Sequence, residues 1–436
     1  MKDKRSARRV GLLLVAAAVC AMACPASAQL GGLGRGLGGT LGPLIQAPER
    51  PALGLVDALD PQTLLSQRLN RLDALVSAHP REIERDEHGA PVVRGEVLAV
   101  VPSAMALARA RQAGFGVKME VDPTEIGLVV LEAPPGVGAR DAVKRLRRLD
   151  PSGAYDYNHL YLPSGETSAL ARGTGSRSGA AVSPNARIGL IDTGVDSGSP
   201  VFAHAGMEQK AFASADVRPE SHGTAVASLI VGRAAPFIGA APGAALFVAD
   251  VYGGAPTGGA ADALVRALAW IGARRVAVVN ISLVGPPNVA LAAAIQAARA
   301  QGVVIVAAVG NDGPAAPASY PASYPGVLAI TGVDARGRVL IEAGRSEHLD
   351  FAAPGADMAA AAKGGGFVAV RGTSFAAPLV AGRLVRLMAE DGLSAAAAED
   401  ALAREGKHGP PYGRGLIGTQ LRVPPATVHA VRMASD

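Results

Sequence analysis

From Arg187 onward, apolar runs and amphipathic stretches alternate for about 240 residues. Ile188 to Ile191, Leu246 to Val251, Val276 to Ile281, Val303 to Val309 and Val327 to Val333 are nearly continuous in aliphatic residues, with no polar residue at every second position. That is the pattern of parallel strands buried on both faces. Ala260 to Ile271 and Val289 to Ala300, lying between such runs, read as helices. The alternation predicts an α/β fold, a doubly wound and mostly parallel sheet around one core, spanning residues 182–425. In such sheets a site forms beyond the carboxyl ends of the strands.

The pattern upstream is different. Asp60-Pro61 reads as a helix cap and first-turn proline, followed by Leu65, Leu69, Leu72 and Val76 at helical spacing up to Ala78. This helix needs a partner surface. Val97 to Val101, Val117 to Val121, Gly127 to Leu131 and Tyr155 to Leu162 then read as strands, with helices at Ala104 to Gln112 and Ala139 to Leu149. The order is β-α-β-β-α-β, a small ferredoxin-like α+β arrangement. Lys144, Arg145, Arg147 and Arg148 on the second helix read as a solvated face. Residues 59–165 are therefore one unit, residues 166–181 a linker of small polar residues, and residues 426–436 a tail.

The N-terminus carries an export signal. Basic residues end at Arg9, a thirteen-residue apolar run follows from Val10 to Met22, and Ala26-Ser27-Ala28 offers a small-x-small cleavage site. The alternative is an uncleaved anchor, against which the run is short for a membrane span. Arg8-Arg9 also fits a twin-arginine route, and Cys24 a lipid-attachment site, each with a poor flanking match. Residues 29–58, rich in Gly, Leu and Pro, read as a leader without a core of its own. The expected location is periplasmic or extracellular, with no stable membrane span once the signal is cut.

Composition changes this picture in three ways. At 49% apolar and 18% charged, the 436 residues can bury a sizeable core. The net charge of +5 does not imply a nucleic-acid partner: residues 1–28 carry +4 of it, leaving a nearly neutral body. Both cysteines, Cys20 and Cys24, lie in the signal, which excludes disulfides, thiol catalysis and thiolate metal sites from the mature chain.

Four short segments carry candidate chemistry. Asp192 ends the run Ile188 to Ile191, where a carboxylate can orient a histidine. His222 stands in Ser221-His222-Gly223-Thr224, ahead of a small, apolar helix. Asn311 follows Val303 to Val309 through Gly310, placing an amide donor where an oxyanion could develop. Ser374, in Gly372-Thr373-Ser374-Phe375-Ala376-Ala377-Pro378, opens an apolar helix, at the positive end of its dipole. Each alone has an ordinary structural reading, as a turn, a core histidine or a helix cap. Together they follow the order Asp, His, Ser found in one class of serine hydrolase.

On these segments, with Ala307-Ala308-Val309-Gly310-Asn311 and Tyr412-Gly413-Arg414-Gly415-Leu416-Ile417, the chain resembles the subtilisin-like (subtilase) serine proteases over roughly residues 182–423. Residues 92–165 resemble the family's inhibitory prosegment in pattern. The resemblance implies a secreted serine endopeptidase, made as a self-inhibited precursor, with Ser374 as nucleophile, His222 as base and acid, Asp192 orienting the imidazole, and Asn311 in the oxyanion site. It implies that Ser282, Leu283, Val284 and Gly285 form an edge for an extended peptide. Ala307, Ala308, Val309 and Gly310 would line the opposite wall of the first specificity pocket. Partners are then protein or peptide substrates and the chain's own prosegment, and the linker would hold the processing site.

The departures from the family are Val284, where Gly is common, and Phe375 and Leu379, where Met and His are frequent. Val284 either narrows the pocket to small or medium apolar residues or is absorbed by a loop shift. Phe375 and Leu379 are expected to change packing only. No cofactor is required. Calcium remains an option that the family allows and no sequence motif supports. The rival readings are a catalytically silent binding protein of the same fold, a nucleotide enzyme, and a structural protein with a Gly-rich arm. The nucleotide enzyme lacks a G-x-G-x-x-G opening a helix after the first strand of the large domain. The structural protein leaves the four ordered segments unexplained. Sedolisins fit less well because of His222-Gly223-Thr224.

Overall fold

A computed structural model describes residues 60–121, 127–169 and 186–429. The export signal, the whole of the leader, most of the linker and the end of the tail lie outside these residues, as does Pro123, expected in a strand-joining turn. The helix α1 (Pro61–Ala78) precedes β1 (Ile83–Arg85), β2 (Pro91–Val100), α2 (Ala104–Gln112), β3 (Gly116–Glu120), β4 (Leu128–Glu132), α3 (Ala139–Leu149) and β5 (Ala154–His159). Two short strands follow, β6 (Leu162–Pro163) and β7 (Glu166–Ala169). The large unit begins with β8 (Arg187–Asp192), β9 (Met207–Ala211), α4 (Ser221–Val231) and the small hairpin of β10 (Arg233–Ala234) and β11 (Phe237–Ile238). It continues through β12 (Ala245–Asp250), α5 (Ala261–Gly272), β13 (Val278–Ile281), β14 (Leu283–Val284), α6 (Val289–Ala300), β15 (Val304–Ala308) and β16 (Leu328–Val333). Last come β17 (Phe351–Pro354), β18 (Met358–Ala361), β19 (Phe367–Arg371), α7 (Thr373–Glu390), α8 (Ala395–Glu405) and α9 (Pro425–His429).

The central sheet has seven strands in the order β17-β16-β15-β13-β8-β12-β9. All six pairings are parallel. Its apolar runs serve two cores at once. Along β8, Ile188 and Leu190 pack with the residues of α4 and α7 on one face, while Ile191 packs with those of α5 and α6 on the other. The doubly wound architecture follows from that division. β8 sits centrally, with β12 on one side and β13 on the other. Its carboxyl end, where Asp192 stands, is thus at the crevice where such sheets bind ligands.

The small unit is a five-stranded antiparallel sheet, with β2 between β4 on one edge and β1 and β5 on the other. Alternation along β2 sends Val97 and Ala99 to the core under α2 and α3, and Leu98 to the core shared with α5 and α6. The small sheet therefore packs its second face on the large unit. Polar groups fix that docking. Asp156 Oδ2 accepts from Val289 N at 2.7 Å, and Asn158 Oδ1 from Asp262 N at 3.1 Å. These are free N–H groups in the first turns of α6 and α5, which have no partner within their own helices. Ala260 gives α5 no side-chain cap of its own, so Asn158 supplies one from the other unit.

Four sequence expectations change. The buried face of α1 is Leu64 and Leu72, while Leu69 is 48% exposed. The face is rotated from the one expected because Arg68 and Arg71 turn inward to pair with Asp312. The run from Tyr155 to Leu162 is not one strand: β5 ends at His159 and β6 begins at Leu162. Residues 166–169, the start of the stretch read as linker, form β7 and pair antiparallel with β19. The stretch read as tail opens within α9, whose Val428 is buried in the main core.

Leu190 is fully buried in β8, with both cores within reach of its strand. Leu190→Ala is expected to cost about 2–5 kcal/mol of stability, seen as a lower denaturation midpoint by chemical unfolding.

Candidate active site

Four backbone segments meet at the carboxyl end of β8, and they interlock through the small residues of their own motifs. Thr193 Oγ1 accepts from Gly223 N at 2.9 Å, and Thr224 Oγ1 accepts from Asp196 N at 3.0 Å. A Cβ at Gly223 would collide with the Thr193 carbonyl, so only glycine permits this approach of α4 to the turn after β8. The Asp-Thr-Gly and His-Gly-Thr segments thus fit each other.

The fit sets the first pair of side chains. Asp192 is fully buried, and its Oδ1 accepts from His222 Nδ1 at 2.8 Å and from Thr193 N at 2.7 Å. Its Oδ2 is buried without a hydrogen-bond partner. The nearby Asp250, also fully buried, has its carboxyl pushed up by burial despite accepting from the N–H groups of Arg218, Tyr252 and Gly253.

The second interlock joins the other two segments. Thr373 N donates to Asn311 Oδ1 at 2.9 Å, and Thr373 Oγ1 donates to the Gly310 carbonyl at 3.1 Å. With Oδ1 so held, Asn311 Nδ2 is buried and has no acceptor. Gly372 has φ 140°, a conformation that favours glycine, and a Cβ there would stand 2.8 Å from Asn311 Nδ2. Ser374 follows as the second residue of α7, fully buried, with Oγ donating to the Ser282 carbonyl at 3.2 Å. Ser282 Oγ returns a bond to the Ser374 carbonyl at 3.0 Å.

The structure brings Asp192, His222, Asn311 and Ser374 to one place, although 182 residues separate the first from the last. The proposed edge also lies here, and it is occupied. β14 pairs antiparallel with β6, Leu283 opposite Pro163 and Val284 opposite Leu162. Beyond β6, Ser164 Oγ lies 2.6 Å from Ser374 Oγ, and the Ser164 carbonyl 3.3 Å from His222 Nε2.

Of the opposite wall, Gly310 meets Val284: a Cβ on Gly310 would be 3.1 Å from Val284 Cγ1 and 3.2 Å from Ser319 Oγ. Ala308 and Val309 instead bury their side chains in the two cores. Phe375 does more than pack. Its ring lies 5.5 Å from that of His222, and a Cβ on Gly165 would be 2.7 Å from it. Leu379 is buried in the main core, as expected.

Three participants were not read from the sequence. Ser164 and Gly165 carry no signal beyond a polar turn. Tyr161 is fully buried between the two units. Among the described residues, no group of three or more His, Cys, Asp or Glu side chains could hold a metal ion. No described helix is long and apolar enough to cross a membrane.

The comparisons with known proteins fit this geometry. Residues 183–408 match the model of the subtilase family. Subtilisin E of Bacillus subtilis (strain 168) is 30% identical over 266 residues, which cover 57% of this chain and 68% of that protein. Subtilisin of Bacillus pumilus is 30% identical over 216 residues, 47% of this chain and 78% of that one. Among solved structures, fervidolysin of Fervidobacterium pennivorans, described as a keratinolytic enzyme related to subtilisin, superposes with a TM-score of 0.65 at 19% identity. That match covers 76% of this chain and 61% of the other, and is a likeness of fold.

Because a Cβ at Gly223 collides with a backbone atom that cannot yield, Gly223→Ala is expected to displace His222 from Asp192. The rate of Ser374 labelling by a fluorophosphonate should fall about 10²-fold, with circular dichroism unchanged.

Proposed function

This chain belongs to the subtilase family of serine proteases, and we propose that Asp192, His222 and Ser374 carry its reaction, in an enzyme exported as a self-inhibited precursor. It is a serine endopeptidase, a hydrolase of peptide bonds in protein substrates. The observation that supports the finer reading is the 2.8 Å bond from His222 Nδ1 to a fully buried carboxylate, at the same place as a buried serine on a helix N-terminus.

A serine hydroxyl is a weak nucleophile at neutral pH. His222 Nε2 takes the Ser374 proton as Oγ adds to the substrate carbonyl, then delivers it to the leaving amine. Asp192 Oδ1 holds Nδ1–H, which fixes the tautomer in which Nε2 is the base, and stabilises the imidazolium without taking the proton. The tetrahedral oxygen is received by Asn311 Nδ2, which has no acceptor of its own, and by the Ser374 N–H in the first turn of α7. In subtilisin itself a side-chain donor of this kind contributes about 10²–10³ in turnover. The product acyl group is released from Ser374 by water.

Substrates add a strand to Leu283–Val284, the edge that β6 already occupies. That occupancy supports inhibition by the chain's own N-terminal unit: residues 59–165 are a prosegment whose end lies across the nucleophile. α1 adds to the cover, since Arg68 Nε reaches Asp312, next to Asn311, at 3.1 Å. Export rests on residues 1–28, which lie outside the described structure, and places the enzyme in the periplasm or outside the cell. Small or medium apolar residues before the cleaved bond are favoured, because Val284 closes on Gly310.

Two measurements test these assignments. A fluorophosphonate should label the wild type at Ser374, and Ser374→Ala should abolish both labelling and peptide hydrolysis; labelling elsewhere would remove Ser374 from the reaction. Val284→Gly should raise kcat/KM for a peptide with Phe before the cleaved bond, relative to one with Ala, by about 10–100-fold.

A further inference from the structure

We propose that the bond this enzyme cuts in its own chain is Ser164–Gly165, and that Tyr161-Leu162-Pro163-Ser164 is the peptide its cleft selects, with the tyrosine hydroxyl read by the Pro286 carbonyl. The inference rests on the reading of Ser374 as nucleophile and deepens it. The cut falls one residue ahead of the segment that composition marks as a linker.

The register comes from the backbone. Residues 160–163 lie between two edges of the large unit. On one side Leu162 and Pro163 pair with Val284 and Leu283. On the other, Leu160 bridges Ala260, Tyr161 N donates to the Gly259 carbonyl at 2.8 Å, and the Tyr252 hydroxyl donates to the Tyr161 carbonyl at 2.8 Å. The next residue, Ser164, meets Ser374, and after Gly165 the chain leaves as β7 along β19, with Glu166 opposite Arg371. The segment is therefore held as a strand on both sides of the nucleophile, and the Ser164–Gly165 peptide crosses it. Gly165 is confined there: a Cβ on it would press on Phe375, and a Cβ on Gly372 would lie 2.8 Å from the Gly165 Cα.

One feature holds the bond short of reaction. The Ser164 carbonyl faces His222 Nε2, while Asn311 Nδ2 is unfilled. Gly165 has φ 142°, a conformation that a side chain would disfavour. Turning this peptide would carry the carbonyl to the small space at Gly372 that Asn311 Nδ2 and the Gly165 Cα border. Ser374 Oγ then adds to the Ser164 carbonyl carbon and gives its proton to His222. The Ser164 C–Gly165 N bond breaks as His222 returns that proton to the Gly165 nitrogen. An ester of Ser164 on Ser374 and a new amino terminus at Gly165 result. Water hydrolyses the ester to the Ser164 carboxylate and restores Ser374.

The same segment shows what the cleft reads. Tyr161 is fully buried, its hydroxyl donates to the Pro286 carbonyl at 2.7 Å, and burial raises that hydroxyl well above its ordinary pKa, keeping it a donor. A Cβ on Gly285 would stand 2.6 Å from the Tyr161 ring, so Gly285 makes the room the ring fills. A buried carbonyl built to accept from a hydroxyl discriminates against the analogue that lacks it. The residue before the cut, by contrast, is only a serine, beside a wall that Val284 and Gly310 close.

The test joins amino-terminal sequencing of the purified protein with kcat/KM of the matured enzyme on quenched peptides containing Tyr-Leu-Pro-Ser-Gly-Glu. The expected new terminus is Gly165, absent in Ser374→Ala, with peptide cleavage between Ser and Gly. Replacing the peptide's Tyr by Phe should cost about tenfold, and by Ala about 10²–10³-fold. A fluorophosphonate-labelled enzyme that keeps Ser164–Gly165 intact, starts elsewhere, or treats the Tyr and Phe peptides alike overturns this proposal and leaves the peptidase reading standing. A protein that neither labels nor cleaves any substrate fails the reading of Ser374 itself, and the proposal with it.

Discussion

The bond from His222 Nδ1 to the buried Asp192 carboxylate is the contact on which the rest of the site depends. Removing a carboxylate from water is costly unless it is hydrogen-bonded. Here the cost is offset by two donors on Oδ1, the ring of His222 and the amide of Thr193. Both donors are delivered by backbone that other motif residues hold in place. Thr193 turns its hydroxyl to Gly223 N, and Gly223 has no side chain to keep the helix away. Small residues around the pair thus do the positioning that no long side chain could do at this spacing.

The parallel sheet is what allows these segments to meet. Asp192 leaves β8 at the centre, Asn311 follows β15, and Ser374 opens α7 after β19. Each lies at a strand's carboxyl end or just past it, in the crevice where β8 has neighbours leading to opposite halves of the fold. Burial on both faces makes the strands rigid supports. Asp192 Oδ2 and Asn311 Nδ2 are among the buried polar atoms that the described residues leave without a hydrogen-bond partner. Native structures leave few such groups, and an unpaired amide beside the proposed nucleophile is the kind that a reaction can use.

Much of this was legible in the sequence because the residues concerned have no freedom. Strands buried on both faces must read as unbroken apolar runs, and Ile188 to Ile191 does. Gly223, Gly372 and Thr373 are fixed by close approaches, so their motifs announce themselves. What was not legible is what depends on backbone pairing or on a partner surface. Leu162 and Pro163 join β14 through main-chain register, which almost any residues could supply, and Ser164-Gly165 therefore carries no signal in the sequence. The face of α1 was misread because periodicity counts leucines, whereas the helix turns Arg68 and Arg71 to Asp312. Phe375 was read as packing because its contacts with His222 and Gly165 come from residues distant in sequence. Ala308 and Val309 were read as wall residues, yet a buried strand turns its side chains into the cores and leaves Gly310 to meet Val284.

A segment that inhibits by lying in a substrate's place must satisfy two opposing demands. It has to bind as a good substrate does, and it has to avoid being consumed and lost before its task is complete. The contacts on either side of Ser164 meet the first demand, since they use both edges of the cleft. The second is met away from the cleft, by Asp156 and Asn158 capping α6 and α5. Those bonds do not involve the bond being cut, so breaking Ser164–Gly165 would not loosen them. Separation of the small unit has to expose Leu98, Leu128 and Val130, which share a core with α5 and α6, together with the capped helix ends. In the proposed maturation, bond cleavage and release would thus be controlled by different interactions: the first by the turn of one peptide between His222 and Asn311, the second by an interface of apolar side chains and helix caps that the chemistry leaves untouched.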